Sequence, residues 1–194
     1  SLINTSPQLS MVQIADLNGD GRSDICYLAN EGSSRGLCAR LQTHDSRLGP
    51  EMRFRLQQPR SVTLARIDQK PGHEIVTVDS RTGRIQISSL QPAAIRNGTL
   101  PTRLLQYGIG PAGASRDRAV ATGDVDGDKL TDVVVTDSEQ AQLLLYRQNG
   151  IDGLSMAEIF PSLLGVTDIA TADLDSDDVL DIVLLSSKEG VVAT

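Results

Sequence analysis

An acidic loop of nine residues recurs along the chain, three times intact and once in altered form. The intact copies read DLNGDGRSD at 16–24, DVDGDKLTD at 124–132 and DLDSDDVLD at 173–181. They share oxygen-bearing side chains at loop positions 1, 3, 5 and 9, whereas the side chain at position 7 varies. A polar loop that returns in register indicates a chain built from repeated structural units.

The loops predict binding sites for a hard cation. Calcium takes about six to eight oxygen ligands from carboxylates, carbonyls and water, and carboxylates crowded this closely repel one another without a cation. The alternative is a set of solvated turns, because Asp, Asn and Gly are common turn residues; repetition in register favours calcium. We predict three sites, with position 7 contributing its backbone carbonyl. The predicted ligands are Asp16, Asn18, Asp20, Arg22 (backbone O) and Asp24; Asp124, Asp126, Asp128, Leu130 (backbone O) and Asp132; and Asp173, Asp175, Asp177, Val179 (backbone O) and Asp181.

The altered copy spans Arg66 to Glu74. Arg66 and Lys70 replace the oxygen ligands of positions 1 and 5, while Asp68 and Glu74 keep acidic groups at positions 3 and 9. We predict that this loop holds no metal and that Arg66 turns inward to bridge the two remaining carboxylates. The alternative is that both cations point into water, where ion pairs contribute little.

The residues that follow the loops predict strands. An EF-hand needs a Glu at position 12 and a helix on each side, but position 12 is Tyr27, Val135 or Leu184. Short runs rich in Ile, Val and Leu follow instead, and such runs are typical of β-strands. EF-hands are therefore excluded.

The spacing of the loops predicts the fold. Their first residues lie at 16, 66, 124 and 173, so the units are near 50 residues long, a propeller-blade length. We predict an all-β protein, a β-propeller segment of about four blades of four-stranded antiparallel sheets, with the loops between strands 1 and 2. The array spans 1–194: an outer strand of a preceding blade or a lead-in at 1–10, then blades at 11–60, 61–117, 118–166 and, truncated, 167–194.

Composition excludes several classes of function. The net charge of −7 argues against a nucleic-acid partner, and no run approaches the ~18 apolar residues of a membrane span. His44 and His73 lack metal-ligand spacing, and no catalytic arrangement of nucleophile and base is evident, so we predict that the chain is not an enzyme. It lacks an initiator Met and a signal-peptide pattern, and we expect it to be a piece of a longer protein.

These loops, each preceded by a strand of small residues and followed by a hydrophobic strand, resemble the FG-GAP/VCBS repeats of integrin α-subunit-like β-propellers. No clear Phe-Gly-Gly-Ala-Pro string is present, which favours the bacterial VCBS type. The resemblance implies calcium between strands 1 and 2 of a blade. It also implies a propeller of more than four blades, so we expect further blades of the same chain, or a second copy, to cover the open ends. The alternative is a closed four-blade ring in which residues 1–5 form the outer strand of blade 4.

The two cysteines flank the predicted turn between strands 2 and 3 of blade 1. Cys26 and Cys38 are equally distant from Gly32, and a cross-strand disulfide needs Cβ atoms about 3.8 Å apart. Some VCBS hairpins resemble this arrangement. We predict a disulfide; the alternative is two buried thiols that pack as small hydrophobic groups.

The leading hypothesis for function is a non-catalytic, calcium-stabilised binding or adhesion scaffold that is secreted, at the cell surface or periplasmic. Its partner would be a protein or a carbohydrate. The first alternative is an accessory propeller of a larger secreted carbohydrate-active enzyme or toxin. The second is a lectin that coordinates sugar hydroxyls through calcium, which requires an open coordination position.

Overall fold

The structure, a computed structural model, describes residues 8–31, 34–56, 59–92, 102–109, 117–150 and 153–194. The described residues form strands, turns and short irregular connections. The strands are β1 (Leu9–Ala15), β2 (Asp24–Glu31), β3 (Ser34–Arg40), β4 (Met52–Arg55), β5 (Pro59–Ala65), β6 (Glu74–Asp79), β7 (Ile85–Pro92), β8 (Thr102–Ile109), β9 (Val120–Gly123), β10 (Asp132–Asp137), β11 (Gln142–Tyr146), β12 (Glu158–Pro161), β13 (Val166–Ala172), β14 (Asp181–Ser186) and β15 (Val191–Ala193).

The strands form four antiparallel sheets in which neighbours in sequence are neighbours in space. Blade 1 contains β1 to β4, blade 2 contains β5 to β8, blade 3 contains β9 to β12, and blade 4 contains β13 to β15. The first strands of successive blades touch: β1 contacts β5, β5 contacts β9, and β9 contacts β13. This is a four-blade propeller arrangement, and the predicted all-β propeller fold is confirmed. Most of the predicted lead-in at 1–10 lies outside the described residues, and β1 begins at Leu9.

Apolar packing between blades explains the composition of the second strands. In β10, Val133 and Val135 pack against blade 2, whereas Val134 lies in the core shared with blade 4. In β6, Ile75 faces blade 1 and Val76 faces blade 3. Because successive side chains of a strand point to opposite faces of a sheet, a blade with neighbours on both sides has a second strand whose successive side chains are all buried.

The two end blades keep exposed apolar side chains. Val12 and Ile14 of β1 are 56% and 64% exposed, and Leu185 and Val192 of blade 4 are 45% and 67% exposed. On blade 4, Leu185 and Val192 are paired across β14 and β15 and therefore share one face of the sheet. Blades 1 and 4 thus carry apolar surface on β1, β14 and β15 that the described residues leave in contact with solvent, whereas the second strands of the two middle blades are buried throughout.

The predicted disulfide between Cys26 and Cys38 is wrong. In the β2–β3 hairpin Cys26 lies opposite Ala39, and Cys38 lies opposite Tyr27. The two thiols therefore point to opposite faces of the sheet. Cys26 packs in the core between blades 1 and 2, and burial raises the pKa of its thiol to about 12. The prediction placed Cys26 directly opposite Cys38, but the observed strand register is shifted by one residue. Such a shift moves a side chain to the other face of the sheet.

A buried guanidinium of blade 3 forms an ion pair within its own blade and a hydrogen bond to blade 2. Arg118, just before β9, donates from Nη2 to Asp137 Oδ2 at 3.1 Å and from Nη1 to the carbonyl of Gly83 at 3.3 Å. The side chains of Arg118 and Asp137 are 3% and 7% exposed. Because Gly83 belongs to the turn between β6 and β7, this guanidinium connects the two blades directly.

We expect Arg118→Met to destabilise the protein by about 3–5 kcal/mol, because it leaves the Asp137 carboxylate buried without its cation. The double variant R118M/D137N removes both charges and should recover part of the loss. Urea unfolding of the wild type and both variants measures the free energies. A single variant as stable as the wild type would contradict the importance of this pair.

Candidate metal centre

Each acidic loop connects the first strand of its blade to the second, so the four loops lie at one end of the propeller. They also touch one another. His73, at position 8 of the blade 2 loop, donates its backbone N–H to the carbonyl of Asp16 at 2.7 Å. Leu180, at position 8 of the blade 4 loop, donates to the carbonyl of Asp124 at 2.9 Å. The first residue of the blade 1 loop is therefore tied to the end of the blade 2 loop, and that of the blade 3 loop to the end of the blade 4 loop.

The first aspartate of each intact loop organises the loop around its carboxylate. Asp124 Oδ1 accepts the backbone N–H of Gly127 at 2.7 Å, and its Oδ2 accepts that of Lys129 at 2.8 Å. Asp16 and Asp173 make the same two hydrogen bonds to positions 4 and 6 of their own loops. Each carboxylate oxygen has about two acceptor sites, so these bonds leave electron pairs for a cation.

Positions 4 and 6 have left-handed backbone conformations in all three intact loops. These residues are Gly19 (φ 77°), Gly21 (φ 81°), Gly127 (φ 82°), Lys129 (φ 67°), Ser176 (φ 66°) and Asp178 (φ 69°). Glycine adopts this conformation without steric cost. The glycines within the motif are therefore explained by loop geometry, whereas the three other residues accept some strain.

The structure brings the carboxylates of blades 3 and 4 together as the sequence predicts. Ligand atoms of Asp124, Asp126 and Asp128 all lie within 4.8 Å of one another. The same holds for the group of Asp173, Asp175 and Asp177. Three hard oxygen donors this close fit a divalent cation such as calcium by their chemistry. Coordination by these residues, by the carbonyls at position 7 and by the position 9 carboxylates stays a prediction.

The blade 1 loop is less acidic. Its positions 1, 3 and 5 are Asp16, Asn18 and Asp20, and the amide of Asn18 donates to Asp20 Oδ2 at 3.2 Å. Arg22 Nη1 also contacts Asp20 Oδ2, at 2.8 Å. This loop therefore offers two carboxylates and one amide oxygen, and one of the carboxylates is already paired with a cation.

The blade 4 carboxylates repel one another. The neighbouring charge of Asp177 raises the pKa of Asp175, with smaller contributions from burial, Asp181 and Asp173. Like charges at short range disfavour the ionised form. A cation at this position would relieve that repulsion.

The acid at position 9 has a different role from the acids at positions 1, 3 and 5. In all four loops it accepts the backbone N–H of position 2, and this includes Glu74 in the altered loop. The bonds are Leu17 N to Asp24 (2.9 Å), Ile67 N to Glu74 (2.9 Å), Val125 N to Asp132 (3.2 Å) and Leu174 N to Asp181 (2.9 Å). Position 9 therefore closes the loop whether or not positions 1, 3 and 5 are acidic.

In blades 1 and 3 the second oxygen of this acid is also used. Asp24 Oδ1 accepts the N–H of Gln42 at 2.7 Å, and Asp132 Oδ1 accepts that of Gln148 at 3.0 Å. Asp24 and Asp132 are fully buried. Burial raises the pKa of both carboxyls, and the two backbone N–H donors of each oppose the rise.

The altered loop of blade 2 differs from its prediction in one respect. Arg66 is exposed, and the cation that contacts Asp68 is Lys70, with Nζ 2.7 Å from Oδ2. The inward Arg66 is therefore wrong. Glu74 satisfies its carboxylate with the backbone of Ile67 at a buried position, so the closed loop does not require a guanidinium. The expectation that this loop binds no metal stays a prediction.

Two side chains that contact the loops were not predicted from the sequence. Gln148 follows β11 and accepts the N–H of Thr131 on its side-chain oxygen at 2.9 Å. Arg147 precedes it and pairs with Asp126. Gln42 and Gln148 both follow the third strand of their blades, and this recurrence was the available signal. No comparable pattern marks Arg147, because its contact with Asp126 joins residues 21 positions apart.

The FG-GAP-like repeat family model matches residues 103–184. This match confirms the resemblance to FG-GAP repeats, and it contains the acidic loops of blades 3 and 4. FG-GAP propellers are in general non-catalytic scaffolds for binding or adhesion. The assignment to the bacterial VCBS type stays a prediction. No curated protein matches the chain. Within the described residues, no helix has the length and apolar character needed to cross a membrane.

Two glycines of the blade 1 loop test how the loops pack. We expect both Gly19→Ala and Gly21→Ala to cost roughly 1–2 kcal/mol, because both residues have left-handed backbones. A Cβ at Gly19 would also lie 2.5 Å from Pro71 Cβ in the blade 2 loop, whereas a Cβ at Gly21 meets nothing within 4 Å. Gly19→Ala should therefore cost about 1–3 kcal/mol more. Chemical unfolding measures both variants, and equal losses would show that the loops do not constrain each other.

The pH dependence of stability tests the buried position 9 acid. Burial raises the pKa of Glu74 above its ordinary 4.5, with a smaller contribution from Asp68. The folded state then holds a proton that the unfolded state has lost, so stability falls as pH rises from 4.5 through the folded pKa. Glu74→Gln keeps an acceptor for Ile67 without titrating. We expect the melting temperature of the wild type to fall relative to E74Q between pH 4 and 7.

The control for this measurement is Glu139→Gln, which removes one negative charge at an exposed position. Its melting temperature should follow that of the wild type across the same pH range. If E74Q and wild type instead give parallel curves, burial does not perturb Glu74.

Proposed function

We propose that the chain is a calcium-stabilised, extracellular binding or adhesion scaffold without a catalytic role of its own. The observation that carries the proposal is the pair of carboxylate triads on the blade 3 and blade 4 loops, which are hydrogen-bonded to each other. The triads are Asp124, Asp126 and Asp128, and Asp173, Asp175 and Asp177. The general character of FG-GAP propellers supports a scaffold.

The loop contacts indicate how calcium would stabilise the scaffold. The side chain of Asp124 belongs to one triad, and its carbonyl accepts the N–H of Leu180 in the blade 4 loop. A cation that holds positions 1, 3 and 5 of the blade 3 loop would therefore also fix the junction between blades 3 and 4. Calcium supplies positive charge and oxygen coordination there, while the chain supplies preformed loops.

The surroundings of the acidic residues favour binding over catalysis. The first aspartate of each intact loop accepts two loop amides, and the position 9 acids of blades 1 and 3 accept amides on both oxygens. These groups organise backbone rather than face a substrate. We propose that the calcium is structural and that the partner, a protein or a carbohydrate, binds the surface that the rigid loops present.

The proposed location of the protein follows from the calcium concentration that such sites need. Extracellular calcium modules bind with dissociation constants of about 10⁻⁴–10⁻³ M, and such sites fill where calcium is abundant. We therefore propose a secreted, cell-surface or periplasmic protein.

Exposed apolar residues on the end blades support a further part of the proposal. Val12 and Ile14 on blade 1, and Leu185 and Val192 on blade 4, are exposed, whereas β6 and β10 are buried along their whole length. Propeller blades bury such faces against neighbours. We propose that further blades of the same chain, or a second copy, cover these faces.

Calcium removal tests the proposed function. A ligand that binds only the native state adds about 2.7 kcal/mol per site at a hundred times its dissociation constant. We expect EDTA to lower the melting temperature clearly, and calcium to restore it more effectively than magnesium. Asp175→Asn should reduce the calcium-dependent rise, whereas Asp168→Asn, an exposed aspartate of the same blade, should not.

A melting curve that is the same in EDTA and in calcium would overturn the proposal. Repeating the measurement at several protein concentrations distinguishes whether a second copy or further blades of the same chain cover the exposed faces of the end blades. A second copy makes the melting temperature rise with concentration, whereas further blades of the same chain leave it constant.

A further inference from the structure

Arg147 bridges the blade 3 loop to the outer strand of its own blade. It follows β11, and its Nη1 nitrogen forms an ion pair with Asp126, at position 3 of the loop. Its Nε donates to Glu158 Oε1 at 3.0 Å, at the start of β12. The Arg147 and Asp126 side chains are 35% and 21% exposed. A guanidinium therefore holds one of the three carboxylates of the candidate metal group.

Positively charged residues are scarce in the part of the chain that forms blades 3 and 4. Residues 117–194 contain 16 Asp and Glu residues but only four Lys and Arg residues. Arg147 also lines the cleft of about 520 Å³ between blades 3 and 4, which Asp177 and Asp181 line from the other side. It is thus placed where the fields of two acidic loops overlap.

The blade 4 loop has no equivalent of Arg147. Within the part of the chain that the structure describes, no Lys, Arg or His lies within ion-pair distance of Asp173, Asp175 or Asp177. At position 6, blade 3 has Lys129 and blade 4 has Asp178. The two candidate metal groups therefore share their donors and differ in the cations around them.

We propose that Arg147 is an internal counter-cation that competes with calcium for Asp126. Calcium then fills the blade 4 loop at lower concentration, and it enters the blade 3 loop only as Arg147 releases Asp126. The inference rests on the calcium binding proposed above and adds an order of filling.

The second partner of Arg147 makes this exchange feasible. When Asp126 turns to calcium, the guanidinium keeps its hydrogen bond to Glu158 and does not become an unpaired charge. Both side chains of that pair are partly exposed, at 35% and 48%, so the ion pair is of the kind that contributes modestly. Arg147 therefore weakens the blade 3 site without closing it to the metal.

Calorimetric titration with calcium chloride at low ionic strength tests the proposal. In Arg147→Gln we expect the component of the blade 3 loop, the weaker of the blade 3 and blade 4 components, to tighten by a factor on the order of five, the upper end for an exposed ion pair. The tighter component should change less. Arg47→Gln removes the same charge from blade 1, where Arg47 pairs with Asp45, and should leave both components unchanged. The effect of R147Q should shrink at high salt, because salt screens exposed charges.

Two further variants assign the components to blades. Asp126→Asn should remove the component that R147Q tightens, and Asp175→Asn should remove the tighter one. Melting curves in EDTA establish that each variant is folded.

The possible outcomes separate the two proposals. If no protein binds calcium, the proposed function fails together with the inference. If the wild type binds calcium but R147Q titrates like R47Q, only the role of Arg147 is overturned. Removal of the weaker component by D175N would overturn the order of filling.

Discussion

One hydrogen bond recurs in every blade and sets the geometry on which the remaining contacts depend. The carboxylate at loop position 9 accepts the backbone N–H of position 2, across the turn that joins the first two strands. In blade 2 the loop has lost acids at positions 1 and 5, yet Glu74 still makes this bond to Ile67. A buried backbone N–H without a partner costs free energy, which gives a physical reason for an acid at this position with or without a metal.

Closing the loops brings neighbouring blades into contact. The backbone bonds from His73 to Asp16 and from Leu180 to Asp124 join loops of different blades, and Gly19 gives the blade 2 loop room for Pro71. Below the loops, apolar strands pack on both faces of the middle blades. The polar end of the propeller and its apolar core therefore depend on the same stacking of one sheet on the next.

Electrostatics distinguish loops that look alike. Lys70 contacts Asp68 in blade 2, Arg22 contacts Asp20 in blade 1, and Arg147 contacts Asp126 in blade 3. Among the described residues, only the blade 4 loop keeps its first three acids without such a cation. A metal ion would meet a different competing charge in each blade, so four repeats of one motif need not have one affinity.

The sequence by itself determined the repeat, the strands and the candidate ligands. The acidic spacing is local, and the Ile- and Val-rich runs after each loop form strands wherever they are buried, so these predictions needed no knowledge of distant contacts. Only the tertiary structure decided which face of the sheet each of Cys26 and Cys38 points to, because a shift of one residue in the strand register moves a side chain to the other face. It also decided which cation meets which carboxylate. Arg66 points into solvent, while Arg147 reaches Asp126 from 21 residues away, because only the stacking of strands and blades fixes where a long flexible side chain can reach.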